Sequence, residues 1–286
     1  MSRTFRPPTL VFAFCLAIST LAPFMSAGWA GTPDDDDDDR HSPIQVGYAI
    51  VTPTSSNKTG LVVFETFGEH RPSGTTQAGV LPSAMTTKAL VVVGANGRLS
   101  RNLGVAIANP SDLDMTVTLD LKDAAGQTVA SKGIPLAKHS QVARFVTELF
   151  ADRPAVVQDF QGTLTISSTQ PFAVVGLRFR GENFSTTPAT NLSATTVDIP
   201  LIGGVGGPGA VILAHFAAGG GWNSEIIIAN ASDKDVTLRV DLFKQDGTPL
   251  VTELNHQLGS TFSGISVKAG GLIVLAPLNK HGDSDF

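Results

Sequence analysis

Apolar and polar residues alternate with a period of two in MTVTLDLKD (Met115 to Asp123) and again in VTLRVDLF (Val236 to Phe243). That period puts one face of an extended strand inward and the other outward, as in a half-buried antiparallel sheet. From Ile44 onward, short segments of this kind are separated by turn residues, and helical periodicity is nowhere sustained beyond about three turns. The pattern predicts an all-β protein. Turns are expected at Ala125-Gly126 and at Asp246-Gly247, because glycine accepts the positive φ of a tight hairpin turn. The turns ahead of the two strands, NPSD (Asn109 to Asp112) and NASD (Asn230 to Asp233), use Asn, Pro, Ser and Asp for related reasons. One short helical segment is expected, Phe145 to Phe150, before Pro154.

The two alternating strands belong to a longer duplication. Residues Asn102 to Val129 recur without a gap at Asn223 to Leu250, shifted by 121 positions. Identities include Asn102/Asn223, Ala108/Ala229, Asn109/Asn230, Ser111/Ser232, Asp112/Asp233, Asp114/Asp235, Thr116/Thr237, Asp120/Asp241, Leu121/Leu242 and Gly126/Gly247. These are mostly residues of turns and strand edges, so the copied unit is a fold element. A weaker duplication relates GYAIVT (Gly47 to Thr52) and GLVVFETF (Gly60 to Phe67) to GTLTIS (Gly162 to Ser167) and AVVGLRF (Ala173 to Phe179), at offsets of 115 and 112. Each of these is expected to be a strand pair, so the chain reads as hairpin, head, hairpin, head. The heads start near Ala89 and Ala210. Links from hairpin to head are long and rich in Thr, Ser, Pro and Gly, whereas the link from head to hairpin is short. Short links join spatial neighbours, so the first head can pack on the second hairpin and leave the N-terminal hairpin to complete the second head. Units of about 110 residues can each hold a core.

The first thirty residues carry Arg3 and Arg6, an apolar run from Leu10 to Leu21, and small residues ending at Gly28-Trp29-Ala30, the layout of a secretory signal cleaved after Ala30. The apolar run is about half of the roughly 20 residues that a membrane span requires. Cleavage removes Cys15, the only cysteine, so stability must come from a core without disulfides. Loss of Arg3 and Arg6 takes the formal net charge from -5 to -7, which argues against nucleic acid or anionic lipid as partner. Asp34 to Asp39 form a self-repelling acidic run, read as a disordered spacer; a calcium site would need oxygens at fixed geometry.

Candidate chemistry is sparse. Gly204, Gly206 and Gly209 have dinucleotide-loop spacing, but Pro208 and the strand-like AVILAHF follow where a helix must open, so a linker is the better reading. His41, His70, His139, His215, His256 and His281 are not spaced as metal ligands. The repeated pairs Asp112/Asp114 and Asp233/Asp235 suit backbone-amide acceptors in turns better than a metal site. Glu65, Glu69, Glu148, Glu182, Glu225 and Glu253 are scattered, which neither names nor excludes a glycosidase pair. Around Ser263, Thr261 stands where a nucleophile elbow needs its first glycine. Trp222 and Tyr48 are the aromatic residues suited to stacking on sugars once the signal is removed, beside phenylalanines that read largely as core.

The string HFAAGGGWNSEIIIANASDKDVTLRVDLFKQDG, with FQGTLTISSTQPFAVVGLRF and Phe184-Ser185-Thr186-Thr187-Pro188, resembles a repeat of uncharacterised exported proteins from environmental bacteria. The resemblance implies tandem immunoglobulin-like antiparallel β-sandwich modules with no assigned catalytic residues. The expected organisation is a signal peptide (1–30), an acidic disordered spacer (31–43), sandwich repeats at 44–155 and 156–279, and a polar tail (280–286). The expected function is non-catalytic extracellular interaction or adhesion by a secreted, cell-surface or periplasmic protein. Its partner would be an extracellular protein or glycan, with no nucleic acid, no membrane after cleavage, no cofactor, and no catalytic, cofactor-binding or metal residues. The alternatives are a carbohydrate-binding module and a secreted hydrolase whose carboxylates converge only in three dimensions.

Overall fold

In the computed structural model, residues 46–52, 62–63, 65–71, 74–154, 158–192, 199–202, 204–207, 210–211, 213, 215–217 and 224–278 are described. The signal segment, the acidic run, His41, His281, Gly209 and Trp222 lie outside them. The described chain is nearly all β, arranged in several antiparallel sheets, with a single four-residue helix. Tyr48–Phe286 form one unit.

A small hairpin comes first, β1 (Glu65–Arg71) with β2 (Gly74–Val80), paired from Glu65↔Val80 to Arg71↔Gly74. Here the structure departs in part from expectation: Gly47–Thr52 and Val62–Val63 are not strands, Glu65–Phe67 of the expected Gly60–Phe67 strand open β1 and pair with β2, and Gly60, Leu61 and Phe64 lie outside the described residues.

The main sheet system then runs through β3 (Thr86–Asn96), β4 (Arg101–Asn109), β5 (Met115–Asp123), β6 (Thr128–Leu136), β7 (Ser140–Phe145), α1 (Val146–Leu149), β8 (Asp159–Arg180), β9 (Asn183–Thr187) and β10 (Thr190–Asn191). In α1 the Glu148 carboxylate accepts the Phe145 backbone N–H at 2.9 Å, satisfying an amide that the first turn leaves open. Its apolar side, with Val146, Leu149 and the following Phe150, is buried.

β8 organises this half of the molecule. Gly162–Ser167 and Ala173–Phe179, expected as a hairpin, are two stretches of one 22-residue strand. Its first stretch pairs with β3 on one side (Lys88↔Ser167 to Asn96↔Asp159) and β5 on the other (Thr118↔Ser167 to Asp123↔Gly162). Its second stretch pairs with β4 (Arg101↔Arg180 to Ala108↔Ala173) and β9. Ser168–Pro171 form the bend between them, where the β3 register shifts from Lys88↔Ser167 to Thr86↔Phe172. A strand that bends in this way can leave one layer and join the facing one, which is how sandwich corners are built. Pro171 is tolerated because it sits at that irregularity.

The result is β-sandwich-like. One layer is β10-β3-β8-β5-β6 and the other is β7-β4-β8-β9. Ala89, Val91, Val93, Leu103, Val105, Ile107, Val117, Leu119, Leu121, Leu164, Ile166 and Phe172 fill the space between. Each fully buried Val, Leu or Ile contributes about 1.5–3 kcal/mol. β5 shows the alternation read from the sequence, with Met115, Val117, Leu119 and Leu121 inward and Thr116 and Thr118 outward. Not every phenylalanine is core: Phe145, Phe179 and Phe184 stack against one another on the outer face beside Gly104, the first pair at 5.0 Å edge to face.

The second half carries β11 (Ile199–Ile202), β12 (Val205–Gly207), β13 (Ile226–Ala229), β14 (Val236–Asp241), β15 (Thr252–Leu254), β16 (Gln257–Gly259), β17 (Thr261–Val267) and β18 (Leu272–Leu275). They form four two-stranded pairings, β11-β12, β13-β18, β14-β17 and β15-β16. A smaller core of Ile226, Leu242, Leu254, Phe262 and Leu275 lies among them. The expected boundary after residue 155 falls just before β8, which pairs with β3, β4 and β5.

Candidate functional site

The duplicated Asn-x-Ser-Asp-x-Asp turns are the strongest sequence signal, and the bonds of their asparagines correspond almost atom for atom. Asn109 is fully buried; its Nδ2 donates to the carbonyls of Leu113 (2.8 Å), Leu136 (3.3 Å) and Ala137 (3.0 Å). Its Oδ1 accepts from the N–H (3.1 Å) and hydroxyl (2.7 Å) of Ser111. Asn230 Nδ2 donates to Lys234 (2.7 Å), Val267 (3.2 Å) and Lys268 (3.1 Å), and its Oδ1 accepts from Ser232 N–H (3.1 Å) and hydroxyl (2.8 Å). The carbonyls reached across the loop are shifted by 131 rather than 121 positions, because the second copy gains the β15-β16 hairpin. An asparagine can do this because its amide offers donors and acceptor together. Each turn is thereby locked to the strand end facing it.

The aspartates of these turns reach the facing loop. Asp114 Oδ1 accepts Lys138 N–H at 2.9 Å, and Asp235 Oδ1 accepts Ala269 N–H at 3.0 Å. In the second copy Lys268 Nζ also donates to Asp235 Oδ2 at 2.7 Å; in the first, Asp112 lies 2.8 Å from His139 Nε2. The Lys268 bond, with the Ala269 amide after it, holds the Asp235 carboxyl below the usual aspartate range, and the same bond raises the Lys268 ammonium. Asp246 is lowered by the Thr248 hydroxyl and N–H, which it accepts in its turn. Asp114, Asp235 and Asp246 therefore serve backbone geometry, whereas Asp112 meets only the His139 side chain, and among the described residues no three His, Cys, Asp or Glu side chains converge to hold a metal.

The other sequence candidates are dispersed. Gly204, with φ of 81°, sits at the tight return from β11 to β12 and Gly206, with φ of 92°, lies within β12; among the described residues no helix follows. The Gly204 carbonyl accepts from Arg239 at 2.7 Å. His215 is exposed, and His256 faces Glu253 at 3.6 Å. Glu148 caps α1, and Glu225, with its side chain only 5% exposed, pairs with Arg178 at 3.2 Å. Ser263 lies within β17. Tyr48 is 37% exposed.

What the fold does assemble is a polar cleft of about 260 Å³ on the outer face of β3, β8 and β5. Its floor follows from strand register. Thr163 stands beside Lys122, Thr165 stands between Leu90 and Asp120, and Ser167 stands beside Lys88. All are outward positions of strands whose inward positions, Leu164 and Ile166, are core. Rows two residues apart along a strand are spaced by about 6.6 Å, so Lys88 and Lys122 flank the hydroxyls from opposite ends. Ala231 and Gly270, from the loops that the second asparagine locks, line the remaining side. Lys122 Nζ comes within 3.0 Å of the place a Gly270 side chain would start.

The electrostatics of the cleft are positive. Its one carboxylate, Asp120, accepts the Ser131 hydroxyl at 2.6 Å, and among the described residues neither Lys88 nor Lys122 has an ion-pair partner. Thr163 is 1% exposed, and its hydroxyl has no hydrogen-bond partner. A lone carboxylate cannot form an acid/base pair, whereas two ammonium groups over a row of hydroxyls suit a small anion. Sequence reasoning missed this site because Lys88 and Lys122 are 34 positions apart and form no motif. The available signal was the run of hydroxyls at alternate positions in GTLTIS.

The cleft's wall depends on contact between the halves. Leu272 N–H donates to the Ala124 carbonyl at 3.1 Å, and Gly126, with φ of 83°, is pressed against the Ala269 carbonyl. Compared with known proteins, the chain matches no family model, no curated protein and no solved structure.

Proposed function

We propose that this chain is an exported, non-catalytic protein of tandem immunoglobulin-like sandwich modules, acting in extracellular interaction or adhesion, and that it contacts its partner through the cleft over β3, β8 and β5. The observation that carries this reading is the lining of that cleft: Lys88 and Lys122, which have no carboxylate partner among the described residues, the hydroxyls of Thr163, Thr165 and Ser167, and one carboxylate already engaged by Ser131. Such a set recognises a carboxylate or sulfate presented by a glycan or protein surface. The size of the cleft, below the 300–1,000 Å³ typical of drug-sized ligands, fits one charged group rather than a whole small molecule. The signal-like N-terminus and the absence of a thiol from the remainder support export.

The test is an array of neutral, uronic-acid and sulfated glycans together with extracellular proteins, probed with purified protein with and without calcium. Saturable binding to acidic members, lost by at least tenfold in a Lys88→Ala/Lys122→Ala variant that keeps its circular dichroism, supports the reading. Equal binding to neutral members, indifference to the lysines, or turnover of any polymer defeats it.

A further inference from the structure

The two halves share their turns but not their completeness. In the first half, β5 is bonded on both edges, by β6 and β8, and β4 by β7 and β8. In the second half, the corresponding strands each have one partner among the described residues: β14 has β17 and β13 has β18. Nothing described occupies the edges that β8 fills in the first half.

Side-chain burial records the gap. Met115, Val117 and Leu119 are 6%, 0% and 0% exposed. Their copies in β14 are Val236, 39% exposed, and Leu238 and Val240, both half-buried. The copy of β3 from Ala89 onward starts at Ala210 and is not a strand where described; its Val211 and Leu213 are 84% and 60% exposed. A β3 copy without a β8 copy beside it has no backbone to bond. An open edge lined by apolar side chains is a template for an added strand.

The same chain holds a segment with the sequence pattern of the missing strand. Tyr48–Thr52 (YAIVT) aligns with Thr163–Ser167 (TLTIS) at the offset of 115, placing Ala49 and Val51 where Leu164 and Ile166 point inward. In the structure this segment pairs with nothing described and exposes Ile50 and Val51 by 66% and 58%. Two exposed apolar features, one shaped as an edge and one patterned as a strand, complement each other.

We propose that Tyr48–Thr52 docks as an antiparallel strand on the edge of β14 that no described residue occupies, in the same chain, completing the second sandwich. The first half supplies the register. Leu119↔Ile166 and Leu121↔Leu164 translate to Val240↔Val51 and Leu242↔Ala49. Ile50 then faces outward, as Thr165 does. Where the connecting chain spans the two sites, a covalently attached segment has an effective concentration well above that of the same segment on a second copy at ordinary protein concentrations.

Cysteine pairs in a Cys15→Ala background test this. Val51→Cys with Val240→Cys is expected to form a disulfide within one chain under mild oxidant, at least tenfold faster than Ile50→Cys with Val240→Cys, whose side chains lie on opposite faces. A crosslink between chains overturns the same-chain docking, and equal or absent crosslinking overturns the register. Hydrogen exchange on the unsubstituted protein needs no variant to fold. The amides of Tyr48–Thr52 are expected to exchange at least about a hundredfold slower than in an unstructured peptide, and free exchange overturns the proposal.

Discussion

Replacing Asn109 by alanine removes a side chain that makes five hydrogen bonds, and the cost can be worked bond by bond. Two of the Nδ2 bonds are short, at 2.8 and 3.0 Å, and the third is long at 3.3 Å. A net intramolecular hydrogen bond contributes about 0.5–1.5 kcal/mol, and a buried group left without a partner costs about 1–3 kcal/mol. The bond to the Leu136 carbonyl is buried whereas those to Leu113 and Ala137 are only partly buried, so water replaces the latter more readily. One stranded carbonyl, together with the two best lost bonds, gives about 3 kcal/mol. In a unit of this size that corresponds to a fall in Tm of roughly 6–12 °C. Chemical denaturation followed by far-ultraviolet circular dichroism measures it. Asn109→Asp separates the bonding account from simple loss of volume. Aspartate keeps the shape and the Ser111 contacts but points acceptors at three carbonyls, so it is expected to be worse than alanine despite being nearly isosteric. A cost below about 1 kcal/mol for alanine, or an aspartate variant milder than alanine, would refute the reasoning.

Asn230→Ala should reproduce the loss, since its five bonds have nearly the same lengths; denaturation of that variant alone checks it. Gly126 and Gly247 have nearly the same φ, 83° and 81°, but a side chain on Gly126 would strike the Ala269 carbonyl, whereas one on Gly247 meets open space. Gly247→Ala is expected to cost about 1 kcal/mol and Gly126→Ala distinctly more, measured side by side. The depressed Asp235 carboxyl stabilises the fold above the ordinary aspartate pKa and loses that contribution as pH falls through its lowered value; raised Lys268 contributes below the ordinary lysine pKa and loses it as pH rises through its own. Asp235→Asn should therefore flatten the acid limb of a stability-versus-pH profile, an effect that shrinks in salt because the pair is exposed. Phe172 is wholly buried just past the β8 bend, so Phe172→Ala should cost about 3–5 kcal/mol by the same denaturation assay.

The sequence alone determined what depends on neighbours along the chain. Alternation in Met115–Asp123 specified a half-buried strand, Ala125-Gly126 and Asp246-Gly247 specified turns with positive φ, and Phe145–Phe150 specified the place of the helix; each is a local matter of backbone geometry and period. The copying of Asn109 and Asn230 was equally visible, yet their role was not, because the carbonyls they hold lie 27, 28, 37 and 38 positions away. Tertiary structure decided the partners. Ser168–Pro171 looked like a hairpin turn, but β3, β5 and β4 offer edges to both sides of it, and a continuous bent strand satisfies more backbone than a turn would. Lys88 and Lys122 became neighbours of one cleft only because β8 lies between their strands. Pairing is a long-range choice among edges, and the period of a sequence carries no record of which edge it will meet.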